Sequence, residues 1–187
     1  MSLVIGADGL ARCPWGNDPA MVGYHDTEWG RPIRDERGLY ERLCLESFQS
    51  GLSWAVILRK REGFRSAFAD FDPTVVAQYG AAEVERLMRD VGIVRNRAKI
   101  EAAISNARAV LDLGGRFADL VWSFAPERHA TPRTIEDVPA TTPASIALAT
   151  ELKKQGFRFF GPTTAYAMMQ ATGMVDDHLV GCVARRT

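Results

Sequence analysis

Along most of the chain apolar residues return every three or four positions, and the two-residue alternation of half-buried strands is scarce. Leu39, Tyr40, Leu43, Cys44 and Phe48 trace one stripe, Val84, Leu87, Met88 and Val91 a second, and Ile100, Ile104, Ala107 and Leu111 a third. The spacing predicts helices near 35–49, 52–69, 73–79, 81–90, 96–113, 116–124, 143–155 and 163–172. Asp72-Pro73 and Thr142-Pro143 each set a capping side chain before a proline at the first helical position, and Lys153-Lys154 precede Gly156 as a helix exit should. The expected fold class is all-α. Residues 125–141, with three prolines and several threonines, read as a surface excursion, and His129 within it as a solvated side chain without a role. Residues 1–11 lack periodicity and are set aside as a disordered arm, which leaves one domain over 12–187.

Composition narrows the class. With 47% hydrophobic and 25% charged residues among 187, the chain has the makings of a soluble globular domain and not of a collagen or a disordered polymer. Lys plus Arg and Asp plus Glu both number 23, so no net charge draws the protein to a polyanion, and any such site must be local. No apolar run approaches the ~20 residues that span a bilayer, and the first residues lack a signal-peptide pattern. The expectation is a cytoplasmic protein. Three scattered cysteines argue against a disulfide framework and leave the thiols free for metal or redox chemistry.

Three constellations carry candidate chemistry. His178 and Cys182 are four apart, which on a helical turn places imidazole and thiolate on one face; Cys13 and His25 lie in a Gly-, Pro- and aromatic-rich segment unlike a plain helix. Two readings stand: four ligands of a closed, structural zinc site, or two small buried cysteines and two hydrogen-bonded histidines. Between two predicted helices lies Val91-Gly92-Ile93-Val94-Arg95, followed by Arg97 and Lys99. Gly92 there suits a positive φ, and the amides opening the next helix, with three cations, form either an anion site or a solvated basic turn. Arg59, Lys60, Arg61 and Arg65 read as an exposed helix end. Finally, Glu46 borders the stripe of Leu39 and Leu43, while Glu41 and Arg42 point elsewhere; Trp15 and Trp29 sit in the irregular N-terminal segment, where a core helix cannot explain them, Trp54 starts an apolar helix, and Trp122 reads as core. Glu46 either pairs with a cation or serves as an acceptor on the wall of an aromatic pocket.

Arg12-Cys-Pro-Trp-Gly16, Tyr24-His-Asp-Thr-Glu-Trp-Gly30, Leu43-Cys-Leu-Glu-Ser-Phe-Gln-Ser-Gly-Leu-Ser-Trp54, the Gly92 hairpin, Val121-Trp-Ser-Phe124 and Gly161 through His178 occur in the order of one known family. The chain resembles the DNA-3-methyladenine glycosylase I family of the helix-hairpin-helix glycosylase superfamily, from about residue 12 to 182. The resemblance implies a two-lobed helical fold, with Gly92, Arg95, Arg97 and Lys99 on DNA phosphates. It implies one structural zinc per chain on Cys13, His25, His178 and Cys182. The pocket for an extruded base falls to Tyr24, Trp29, Glu46 and Trp54, with Thr163 and Tyr166 as further lining and Glu46 as the catalytic group. This branch lacks the aspartate that most of the superfamily carries after the hairpin, and Asp112 is not assigned to that role.

The implied partners are alkylated duplex DNA and free 3-methyladenine, with no membrane and a monomeric enzyme. The chemistry is consistent with a missing base: methylation at N3 makes adenine cationic and weakens its bond to deoxyribose, so selection matters more than activation. Three other readings are a zinc-stapled DNA-binding module without catalysis, a glycosylase for oxidised or mismatched bases, and an enzyme acting on free nucleosides.

Overall fold

Nine α-helices carry about half of the described residues, 2–186, of the computed structural model. They are α1 (Val22–Thr27), α2 (Glu36–Gln49), α3 (Trp54–Ala67), α4 (Pro73–Val76), α5 (Ala81–Arg89), α6 (Arg97–Asp112), α7 (Phe117–Trp122), α8 (Pro143–Lys154) and α9 (Pro162–Ala171). Both caps that the sequence advertises form, Thr142 before α8 and Asp72 before α4, where it accepts from the Thr74 amide at 2.8 Å, and Asp35 and Asn96 add two more. Asp35 accepts from the Gly38 amide at 2.7 Å, Asn96 from Lys99 at 3.2 Å and Thr142 from Ser145 at 3.1 Å, so each helix start has an orphan amide satisfied. Gly156 takes φ +90° just beyond α8. The helix predicted over 73–79 stops at Val76, because Gln78 and Tyr79 tighten to bond the carbonyls of Val75 and Val76.

Two elements went unpredicted. The short helix α1 lies in the Gly- and aromatic-rich segment, and it carries Tyr24 and His25. Residues set aside as a disordered arm instead form a hairpin, β1 (Val4–Ile5) against β2 (Ala11–Arg12), with Val4 opposite Arg12. Leu3 packs on a small cluster of Cys13, Leu179, Cys182 and Ala184, which is apolar burial that a two-residue strand pair cannot supply alone.

The main core is one continuous cluster from α2 to α9, so the two lobes implied by the resemblance share it. At its centre α2 is enclosed on nearly every side, with Leu39, Tyr40, Leu43, Leu45 and Phe48 fully buried. From Leu39 to Phe48 the helix has almost no wet face, and Arg42, Glu46 and Ser47 are buried too, while Arg37 in its first turn stays exposed. The 125–141 excursion is pinned and does not float. His129 Nε2 lies 2.6 Å from Asp177 Oδ1, the Val180 amide donates to Pro132 at 2.9 Å, and Arg185 donates to Thr131 at 2.8 Å. His129 is thus a latch, contrary to the solvated side chain expected of it.

Candidate base pocket and metal centre

A cavity of about 630 Å³ opens between the N-terminal segment, α2, the start of α3, α9 and the excursion. Tyr24, Trp29, Glu46 and Trp54 line it together with Trp15, Met21 and Gln49. The rings stand close: Tyr24 and Trp54 are 5.3 Å apart and tilted, and Trp15 meets Trp29 edge-on at 4.9 Å. Glu46 is only 5% exposed, and among the described residues no protein group hydrogen-bonds its carboxylate. Burial pushes its pKa up to about 7, with the charge of Arg42 pulling the other way. The alternative of a border carboxylate paired to a cation is therefore not what forms.

Helix phase corrects two expected positions. Thr163 is exposed outside the cavity, and Tyr166 is buried behind it, donating its hydroxyl to Asp177 at 2.7 Å. The face of α9 that reaches the cavity is Ala167 and Gln170. Asp177, and Asp18 at the cavity's edge, are further carboxylates on the wall, which the sequence did not single out. Burial alone would raise the pKa of Asp177, but His129, Tyr166 and Gln170 all face its oxygens and hold it low. Ile135 and Val138 close the cavity from the excursion, so that segment is part of the site.

Directly behind the pocket, Cys13, His25 and Cys182 place their ligand atoms within 4.8 Å of one another, all buried. His25 Nε2 lies 3.6 Å from Cys182 Sγ. Gly16 is required here, since a Cβ would stand 2.2 Å from the His25 ring. His178 and Cys182 do not share a helical turn: the chain after α9 runs in turns, and His178 stands outside that trio. It still stacks edge-on against His25 at 4.9 Å, with Nε2 3.3 Å from the His25 carbonyl. Both histidines have Nδ1 held by a carboxylate at 2.7 Å, His25 by Asp26 and His178 by Asp176. That leaves each Nε2 facing inward, the orientation that a carboxylate on Nδ1 imposes on a metal-binding histidine. Cys182 is drawn toward thiolate by the Cys13 thiol and by His25. The donor set fits a thiolate–imidazole ion of the zinc type, with His178 adjacent to the three converged donors.

The hairpin between α5 and α6 is present, but its side chains depart from expectation. Gly92 has no positive φ; it is packed against α3, where a Cβ on Gly63 would lie 2.5 Å from the Gly92 carbonyl oxygen. Lys99 turns inward, 8% exposed, and donates to the carbonyls of Phe48 at 3.0 Å and Ser50 at 2.6 Å, capping the end of α2 instead of reaching for phosphate. Arg97 pairs with Glu85 at 2.6 Å. Arg95 is exposed, and among the described residues it has no ion pair. In the second basic cluster Arg61 and Arg65 are paired with Glu28 and Glu41, and Lys60 bonds the Val91 carbonyl at 2.6 Å, so that helix end is buttressed. Arg42, expected on an outer face, is 6% exposed.

An open aromatic cavity with a buried carboxylate on its wall, set in a helical frame, is the arrangement that a helical DNA glycosylase requires. Solved structures bear this out: 3-methyladenine DNA glycosylase I is 48% identical with a TM-score of 0.89 over 94% of this chain and 100% of the other. The Staphylococcus aureus 3-methyladenine DNA glycosylase I is 34% identical with a TM-score of 0.88 over 94% and 97%. The methyladenine glycosylase family model matches residues 15–186, and the chain belongs to that family. It is similar to DNA-3-methyladenine glycosylase 1 of Escherichia coli K12, 48% identical over 92% of this chain and 96% of the other. The Haemophilus influenzae DNA-3-methyladenine glycosylase is 45% identical over 91% and 96%.

Proposed function

We propose that this protein is a monofunctional DNA glycosylase that takes 3-methyladenine out of alkylated duplex DNA and hydrolyses its N-glycosidic bond, leaving an abasic site. Family membership supports the reading, and the observation that carries it is Glu46: an acceptor with no protein partner among the described residues, facing a cavity walled by Tyr24, Trp29 and Trp54. A buried carboxylate left without a donor is an unfavourable arrangement unless a ligand supplies one. The exocyclic amino group of a cationic adenine supplies both the donor and the charge.

Stacking on the indoles repays part of the few kcal/mol spent in extruding the base, and the cation gains about 0.5–2 kcal/mol over an aromatic face. When the C1′–N bond breaks, the base keeps the electron pair and leaves neutral, while water adds to C1′ and releases its proton. Charge moves from base to sugar, so the cation–π gain favours binding, whereas Glu46 and the ionised Asp177 keep negative charge near the developing positive centre. Cys13, His25 and Cys182, with His178 beside them, would hold one structural zinc, whose chemistry is to tie the first residues of the fold to the last and keep α1 in place. The α5–α6 hairpin acts as a helix-hairpin-helix element on the DNA backbone, with Arg95 as its cation. In this reading the protein works in the cytoplasm as a monomer, and no helix among the described residues is long and apolar enough to cross a membrane.

The test is release of free base from methylated duplex DNA, identified by chromatography, with 7-methylguanine as the specificity control. Release of 3-methyladenine from duplex and none from free nucleoside is expected; DNA binding without base release would replace the enzyme with a binding module.

A further inference from the structure

Behind the aromatic wall lies a charge that the proposed chemistry does not use. Arg42, one turn before Glu46 on α2, is 6% exposed, and its Nε has no hydrogen-bond partner among the described residues. Its Nη1 donates to the Tyr24 hydroxyl at 3.2 Å, and its guanidinium carbon lies 5.4 Å from the Tyr24 ring and 5.7 Å from the Trp54 ring. Nη2 stands 3.9 Å from Glu28, itself held bidentately by Arg61. An arginine left with an orphan donor in a core is poor design for stability alone. Its place among Tyr24, Trp54 and Glu46, three residues of one pocket, indicates a role there.

We propose that Arg42 is a positioning residue for base recognition: its guanidinium anchors the Tyr24 hydroxyl and sets a fixed positive charge one helical turn from Glu46, keeping that carboxylate ionised for the incoming cationic base. The proposal rests on Glu46 as the group that reads the base. No ion pair joins Arg42 and Glu46 among the described residues, so Glu46 stays open to the ligand while still feeling the charge. The other groups facing Glu46 do not supply this. Tyr24 on α1 is neutral, its ionisation opposed by burial, and Asp18 and Asp177 across the cavity are acids that disfavour a further negative charge. Arg42 is the cation on the inner side, and Glu28 balances it from behind.

The experiment is the pH dependence of the second-order rate of 3-methyladenine release from alkylated duplex DNA, between about pH 5 and 9. The substrate carries its charge throughout this range. Wild type should lose activity as pH falls through the ionisation of Glu46, near 7. In Glu46→Gln that acid limb should vanish. In Arg42→Met it should move to higher pH by about one unit, the size expected from an opposite charge at this range. Arg42→Gln, which retains a donor for Tyr24, should show the same movement if the methionine costs folding, and Arg42→Lys should leave the limb in place. An acid limb that persists in Glu46→Gln removes Glu46 from base reading, and Arg42 with it. A limb lost in Glu46→Gln but unmoved in Arg42→Met or Arg42→Gln overturns the role of Arg42 alone, as does a limb displaced in Arg42→Lys. A purely structural arginine would lower the rate equally at every pH.

Discussion

Tyr24 and His25 are neighbours on α1, yet they serve two regions built on opposite principles. Tyr24 faces the base pocket, and His25 faces the terminal knot of Cys13 and Cys182. In the knot polar groups are nearly all answered: His25 by Asp26, Asp26 by Arg12 at 2.7 Å, His178 by Asp176. At the pocket they are not: among the described residues Glu46 and the Trp54 Nε1 on its wall, and the Arg42 Nε behind that wall, have no hydrogen-bond partner. A satisfied network holds a shape, whereas unsatisfied groups beside a cavity are what an incoming base can complete. The knot is therefore read as scaffold and the pocket as recognition, although one six-residue helix supports both.

Substitutions in the knot act most strongly. Cys182→Ala should remove most of a near-stoichiometric zinc and lower the melting temperature by about 10 °C or more, taking a loss of several kcal/mol spread over a chain of this size. Metal analysis of protein purified without added metal checks it, and full zinc retention would remove Cys182 as a ligand. Gly16→Ala should act in the same direction and more weakly, because its Cβ would drive against the His25 ring.

At the pocket the expected signs reverse. Glu46→Gln should slow base release by roughly 5- to 150-fold, corresponding to a mismatch of about 1–3 kcal/mol, yet should not destabilise the fold. Its folded pKa is raised, to about 7 from 4.5, so the native state binds the proton more tightly than the unfolded chain and stability falls as pH rises through that window. Above pH 7 the wild type carries a penalty on the order of 3 kcal/mol that glutamine does not, and the variant should melt several degrees higher at pH 8 and equally near pH 4. Equal melting at both pH values would mean that Glu46 is solvated after all.

The smallest effects separate the two cations of the hairpin region. Lys99→Met should cost about 1–2 kcal/mol of stability by uncapping α2 at Phe48 and Ser50, whereas Arg95→Ala should leave the melt unchanged and flatten the salt dependence of duplex binding by roughly one unit. A Lys99→Met protein that keeps its melting temperature and loses salt dependence would return Lys99 to the DNA.

Periodicity and caps made the long helices legible, since each signal is local: a stripe, a capping oxygen, a proline at the first turn. The motifs around Cys13, Tyr24, Glu46 and His178 also led from sequence to family. Three kinds of feature were not legible in this way. α1 is too short and too rich in aromatics to show a period, and the hairpin of β1 and β2 depends on Leu3 finding the Cys13 cluster. The phase of α9 put Ala167 and Gln170, and not Thr163 and Tyr166, on the cavity, because every face of that helix is apolar enough to be buried and only its neighbours choose among them.

The helical class, the order of the longer helices and the inventory of chemistry are written in the sequence, because those depend on residues within a turn or two of one another. Tertiary structure decided which charged groups are used and for what. Lys99, Arg97 and Arg95 look equivalent in sequence, yet one caps a helix, one pairs with a neighbour and one stays exposed. His129 and Asp177, 48 residues apart, meet on the pocket wall, and Arg42 is turned inward behind it. The energy of a charge depends on its burial and its partners, and both come from segments far away in the chain.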